Sequence, residues 1–205
     1  DSGGTGGIAV QFDGEDVMHL DFKKNSPRDI YDWLTNISEI PMHYNLPGSF
    51  CLIERVHSMP GQGIASTFKF GENYGLIQGL IIAMGIPYDF VSPNKWQTEV
   101  GTSLTAKQKE SIKSEILNLE PEKQSKKEKY LRRKAIKNNA KIKAQQLFPK
   151  SKITLENADA FLILECSKKD YEIAGKGSGE YASLRFFPDL DPDLLKEVKN
   201  EFCRW

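Results

Sequence analysis

The sequence predicts an α/β protein in which short strands alternate with amphipathic helices, extended by a basic helical insert and a small C-terminal extension. Three observations predict this class. Residues 8–12 form an apolar run and residues 17–22 alternate apolar and polar side chains, as strands do. Residues 27–40, 66–84 and 126–147 repeat apolar residues every three or four positions, as helices do. Residues 50–56 and 88–91 are short and apolar, like buried strands. Strands and helices interleaved in this order belong to mixed α/β architectures.

Taken in order, 8–12 and 17–22 pair as a hairpin about Asp13-Gly14, a dipeptide suited to tight reversal. The helix over 27–40 puts Ile30, Leu34 and Ile37 on one face, with Ser26 as N-cap before Pro27 at the first position. The strand at 50–56 carries Glu54 near its end, an acid in apolar surroundings. Pro60, Gly61 and Gly63 predict a mobile loop over 57–63. In the helix over 66–84, Phe70, Tyr74, Ile77, Ile81 and Met84 recur at helical spacing, while Gly71, Gly75 and Gly79 form a smooth strip that admits a close neighbour. Ser92-Pro93 turns the chain from the 88–91 strand into a helix carrying Trp96. A helix over 104–119 is interrupted by Pro121 and resumes over 126–147, with Ile136, Ala140, Ala144 and Leu147 on its apolar face. Thr154 is the N-cap of a last core helix running to about Cys166. Beyond it, Gly175, Gly177 and Gly179 mark a hinge, 181–187 alternates like a strand, and Asp191-Pro192 caps a terminal amphipathic helix.

A chain of 205 residues buries one substantial core, so we expect one main domain over 1–166, including the basic segment, and an extension over 167–205. The formal net charge of zero hides a segregation: residues 123–152 hold twelve Lys or Arg and one acid, Glu128 (12 − 1 = +11), leaving 16 bases and 27 acids elsewhere (16 − 27 = −11). Such a basic segment either tracks phosphates or forms a solvated helix face. Cys51, Cys166 and Cys203 are odd in number and lack metal-ligand spacing, which fits buried thiols in a reducing compartment. The longest apolar stretch, 76–91, is broken by Gln78, Gly79, Gly85, Pro87 and Asp89, and no signal-peptide pattern opens the sequence. The expectation is a soluble, intracellular, cytoplasmic protein that does not enter a membrane.

Six segments carry a resemblance: DSGGTGGIAV at 1–10, LIERVHSMPGQG at 52–63, FGENYGLIQG at 70–79, PNKWQ at 93–97, AQQLFP at 144–149 and ENADAFLIL at 156–164. In that order, they resemble the phage-borne branch of the RuvC-type Holliday-junction resolvases, within the RNase-H-like superfamily. The resemblance covers about residues 1–165 and implies an RNase-H-like mixed five-stranded sheet flanked by helices. It also implies structure-selective cleavage of branched DNA, four-way junctions above all, in the host cytoplasm if the chain is phage-encoded. In the family, the first acid follows four or five apolar residues, whereas this sequence opens on the acid itself.

By that resemblance, Asp1, Glu54, Glu156 and Asp159 are the catalytic, metal-binding carboxylates. Hydrolysis by two ions roughly 3.5–4 Å apart needs clustered carboxylates, because hard cations such as Mg2+, or Mn2+ in its place, take oxygen ligands. One ion would activate the attacking water and the other would stabilise the departing 3′ oxygen, leaving a 5′ phosphate. Glu156 and Asp159 are three residues apart, so a helix would place both on one face. Lys134, Lys137, Lys141 and Lys143 are the candidates for holding DNA strands, and His57 and Met59 follow Glu54 where the family places a wedging side chain, with Phe68 and Phe70 as alternatives. Symmetric cleavage of a four-way junction needs two active sites, which predicts a homodimer. Two other readings compete. DSGGTGG also resembles the first phosphate loop of actin-like sugar kinases, although AGKGSGE at 174–180 lacks the Asp and the preceding strand of their second motif. A DNA-binding protein of the same fold without cleavage is the third.

Overall fold

The computed structural model describes residues 6–11, 16–43, 50–57 and 63–177. Its elements are β1 (Gly7–Val10), β2 (Met18–Asp21), a 3-10 turn (Phe22–Lys24), α1 (Pro27–His43), β3 (Cys51–Glu54), α2 (Ile64–Ala83), β4 (Tyr88–Val91), α3 (Pro93–Glu99), α4 (Ala106–Ile116), α5 (Pro121–Leu147) and α6 (Ala158–Gly177). The chain is therefore α/β, with strands and helices in the expected order. The turn at Asp13-Gly14, most of the 57–63 loop and everything beyond Gly177, including the expected strand at 181–187 and terminal helix, lie outside the described residues.

Among the described residues, the strands form two pairs, and no single five-stranded sheet is seen. β1 and β2 are antiparallel, from Gly7 opposite Asp21 to Val10 opposite Met18. Gly7 sits where the strands press together: a Cβ there would meet the Leu20 carbonyl oxygen at 2.5 Å, so the position is closed to side chains. β3 and β4 are parallel, from Cys51 opposite Tyr88 to Glu54 opposite Val91. Parallel pairing requires a crossover, and α2 supplies it.

Local chemistry sets the helix ends. Ser26 Oγ accepts from the Asp29 backbone N–H while the Asp29 carboxylate accepts from the Ser26 N–H and hydroxyl, a reciprocal cap that starts α1. Ser92 caps α3 before Pro93, and Thr105 caps α4 in a capping box with Gln108. α2 and α3 end alike. Gly85 (φ 63) and Gly101 (φ 74) adopt the left-handed conformation, Gly85 and Ile86 donate to the carbonyls of Ile82 and Ile81, and Gly101 and Thr102 donate to those of Thr98 and Gln97.

Two apolar clusters lie on opposite sides of the strands. One joins Val91, Trp96, Val100, Ala140, Ala144, Phe148, Phe161 and Leu162, with Ala9 and Leu52 packed against it. The other joins Leu20, Ile30, Leu34, Ile77 and Ile81, with Ile8, Cys51 and Tyr88 against it. Neighbouring residues Ile8 and Ala9, and likewise Cys51 and Leu52, thus face opposite clusters, as strand alternation requires. α3, α5 and α6 cover one side, and α1 and α2 the other. The helix expected to stop near Cys166 runs on to Gly177. Among the described residues, no helix is long and apolar enough to cross a membrane.

Burial among apolar neighbours pushes the Cys51 thiol up to about 11. At pH 8 the native thiol is therefore protonated, and iodoacetamide should modify Cys51 about a hundredfold more slowly than in the urea-unfolded chain, the rate rising as the pH approaches 11. Peptide mapping by mass spectrometry separates Cys51 from Cys166 and Cys203; equal rates in native and unfolded protein would contradict the buried placement.

Candidate functional site

Glu54 is the last residue of β3. Alternation puts it on the side of Leu52, under the cluster that holds Trp96 and α6. There the Trp96 indole Nε1–H donates to Glu54 Oε1 at 2.9 Å. Trp96 is 1% exposed, so the carboxylate is held by a fixed donor rather than by a mobile side chain. The PNKWQ segment had drawn attention to Trp96, but nothing in a separation of 42 residues announces this bond. Trp96→Phe keeps much of the ring volume and removes the donor, and we expect it to lower stability by about 2–3 kcal/mol in urea unfolding. An unchanged midpoint would mean that the bond contributes nothing.

Asp159 lies in the first turn of α6. Ala158, Phe161 and Leu162 around it are fully buried, which anchors that turn against β1 and β3. Its Oδ2 is 2.7 Å from Lys137 Nζ on α5, with the Asp159 side chain 16% exposed and the Lys137 side chain 46%. Lys137 Nζ also lies 3.5 Å from the Leu155 carbonyl oxygen. Asn139, two residues on, holds α5 in place: it donates to the Thr102 carbonyl at 3.2 Å, while Gln108 Nε2 donates to its Oδ1 at 2.8 Å.

Glu156 requires a correction. It lies in the turn before α6 and not on the helix, so helical spacing does not set its relation to Asp159. The cause is a reciprocal cap: the Thr154 hydroxyl accepts from the Glu156 and Asn157 N–H groups, while Asn157 Oδ1 accepts from the Thr154 N–H at 2.8 Å. Thr154 thus caps this turn, and the helix proper follows it. The Glu156 carboxylate is exposed. Hydrogen bonds from its own backbone N–H and from Thr154, then the charges of Lys23 and Lys137, hold it below the usual carboxylate range. The charge of Lys137 therefore acts on both acids, and Lys23, in the 3-10 turn, adds a second positive charge at Glu156.

Asp1 and Met59 lie outside the described residues. Among the described residues, no three acids, histidines or cysteines gather as a metal-ligand group. His57 is exposed just past Glu54, Phe68 is 70% exposed on α2, and Phe70 is half-buried. On α5, Lys134, Lys137 and Lys141 are spaced by three and four residues and share a side, whereas Lys143, six residues past Lys137, is turned from it by about 120°. Comparison of the chain with protein families and with curated proteins returned no match.

Proposed function

We propose that this protein is a metal-dependent, structure-selective DNA endonuclease of the RNase-H-like kind, similar to RuvC-type resolvases, cutting Holliday junctions or other branched DNA. The observation that carries this reading is the environment of Asp159: a carboxylate in the first turn of α6, anchored by buried neighbours, already holding a cationic group at 2.7 Å. Glu54, Glu156 and Asp159 offer carboxylate oxygens, the ligand type that Mg2+ and Mn2+ take, although among the described residues the three do not gather as a metal-ligand group. The depressed pKa of Glu156 keeps it ionised, as a ligand must be. Asp1, Glu54, Glu156 and Asp159 would hold the ions. Two ions bound there would supply Lewis acidity at the scissile phosphate and offset charge on the departing oxygen.

The protein's own residues do the rest. Trp96 fixes the Glu54 carboxylate, and the buried neighbours of Asp159 fix the start of α6. Lys137 stands beside Asp159, and Lys134 and Lys141, about one turn to either side of it on α5, extend the positive charge that would hold a phosphate backbone. The mixed sheet of such nucleases combines antiparallel and parallel pairs; here β1 and β3, one from each pair, both pack under α6. For the homodimer, α2 offers an apolar stripe: Ile64, Phe68, Gly71, Gly75, Gly79 and Ile82 recur every three or four residues, and among the described residues nothing beyond the helix's own backbone lies within 4 Å of where a Cβ would stand on the three glycines. Large residues at both ends and glycines between would let two copies cross face to face.

The test is a labelled four-way junction incubated with the protein and Mg2+ or Mn2+, with products resolved on a denaturing gel. Paired nicks that require the metal support the reading. Binding without nicking supports a non-catalytic DNA-binding protein instead.

A further inference from the structure

Helices α5 and α6 run in the same direction. Lys137 meets Asp159 near the start of α6, and eleven residues later Phe148 packs on Phe161, their ring centroids 5.3 Å apart, while Lys168 Nζ lies 5.2 Å from the Phe148 ring. The part of α5 before Lys137 therefore projects beyond the start of α6, by roughly 24 Å for the sixteen residues from Pro121. One side of this projection rests on α4 and the turn after it, where Lys127 Nζ is 3.2 Å from Glu115 and Gln124 donates to the Leu119 carbonyl at 2.6 Å. On another side Tyr130 stands 58% exposed. Its four helical neighbours at three and four residues are Lys126, Lys127, Arg133 and Lys134, all basic. Lys127 Nζ lies 6.0 Å from the ring centroid. The nearby acid Glu128 is bound to Arg132 at 2.7 Å.

We propose that Tyr130 and its surrounding cations form a stacking site for an unpaired stretch of DNA, in line with the acids at Asp159. It rests on the nuclease reading in that the stretch would belong to the branched substrate. An exposed aromatic ring among cations fits nucleic acid in a specific way: the cations take the phosphates, and the ring takes a base face. Bases inside a duplex have no free face, whereas bases at a branch or in a single strand do. Lys126, Arg133 and Lys134 continue the row that includes Lys137, so one strand can run along α5 from the acids to the ring.

The experiment is fluorescence anisotropy with a labelled oligothymidine and with a blunt duplex of equal length, without divalent metal so that nothing is cut. Tyr130→Ala should weaken binding of the single strand roughly tenfold or more and leave the duplex unchanged, while Tyr130→Phe stays near the parent. A Lys126→Gln, Arg133→Gln double variant should weaken both and flatten the salt dependence by about two ions. The proposal is overturned if the parent does not bind the single strand, if Tyr130→Ala has no effect, or if it weakens single strand and duplex alike. Cleavage is not measured, so the site can stand if the nuclease reading fails and can fall if that reading holds.

Discussion

Asp159→Asn should reduce metal-dependent nicking of a four-way junction by more than about a hundredfold. Loss of groups that merely support a metal ligand costs about 10–100-fold, and loss of a ligand costs more. Asparagine keeps the shape of the side chain and removes its charge, so the variant tests charge rather than packing. Folding should change little, because the pair with Lys137 is partly exposed and such pairs contribute about 0–1 kcal/mol. Junction binding in the absence of metal should be equal or tighter, since a negative charge beside the phosphate path is gone and Lys137 is released. Gel-shift and cleavage assays on one preparation read both effects. Nicking at the parental rate would remove Asp159 from the site.

Phe161→Ala should destabilise the protein by about 3–5 kcal/mol, read from the urea midpoint. Phe161 is fully buried, and its ring lies 5.3 Å from those of both His19 and Phe148. It therefore ties β2, α6 and the end of α5 together. Alanine leaves a cavity that neighbours from three elements cannot all close. Since whole domains are stable by about 5–15 kcal/mol, the loss is a large share of the total. Asp159 is two residues away, so activity should fall on warming before the chain unfolds globally. A midpoint shift below about 1 kcal/mol would mean that Phe161 is not at the centre of this core.

Much of this was legible in the sequence where the information is local. Ser26 before Pro27, the Ile30, Leu34 and Ile37 spacing, and the isolated 88–91 run each place an element to within a few residues, because caps and periodicity act over one or two turns. The burial of Cys166 and the apolar packing of Cys51 follow in the same way from cysteines without ligand spacing. What failed was what depends on distance or on competing local bonds. The spacing of Glu156 to Asp159 predicts a shared helix, but the Thr154 and Asn157 side chains claim the backbone groups that a helix would use. The Glu54 to Trp96 bond needs the fold to exist first, although strand parity already put Glu54 on the same side as Leu52. Which strands pair is likewise a long-range property, and no periodicity reports it. The pair between Lys137, a candidate phosphate contact, and Asp159 likewise spans two helices, and no spacing announces it.

The Asn139 clamp turns α5 into a lever with a very short inner arm. Lys137 is two residues from the fulcrum, about 3 Å along the axis, and Tyr130 is nine residues away, about 13.5 Å. The outer part of α5 is tied to α4 through Lys127 and Glu115, so the two helices would tilt about Asn139 as one body and divide displacement in that ratio. If the outer end follows a moving strand by about 2 Å at Tyr130, the amine of Lys137 shifts by only about 0.4 Å. On the proposed reading, the outer arm would track a flexible substrate while the geometry at Asp159 stays nearly still.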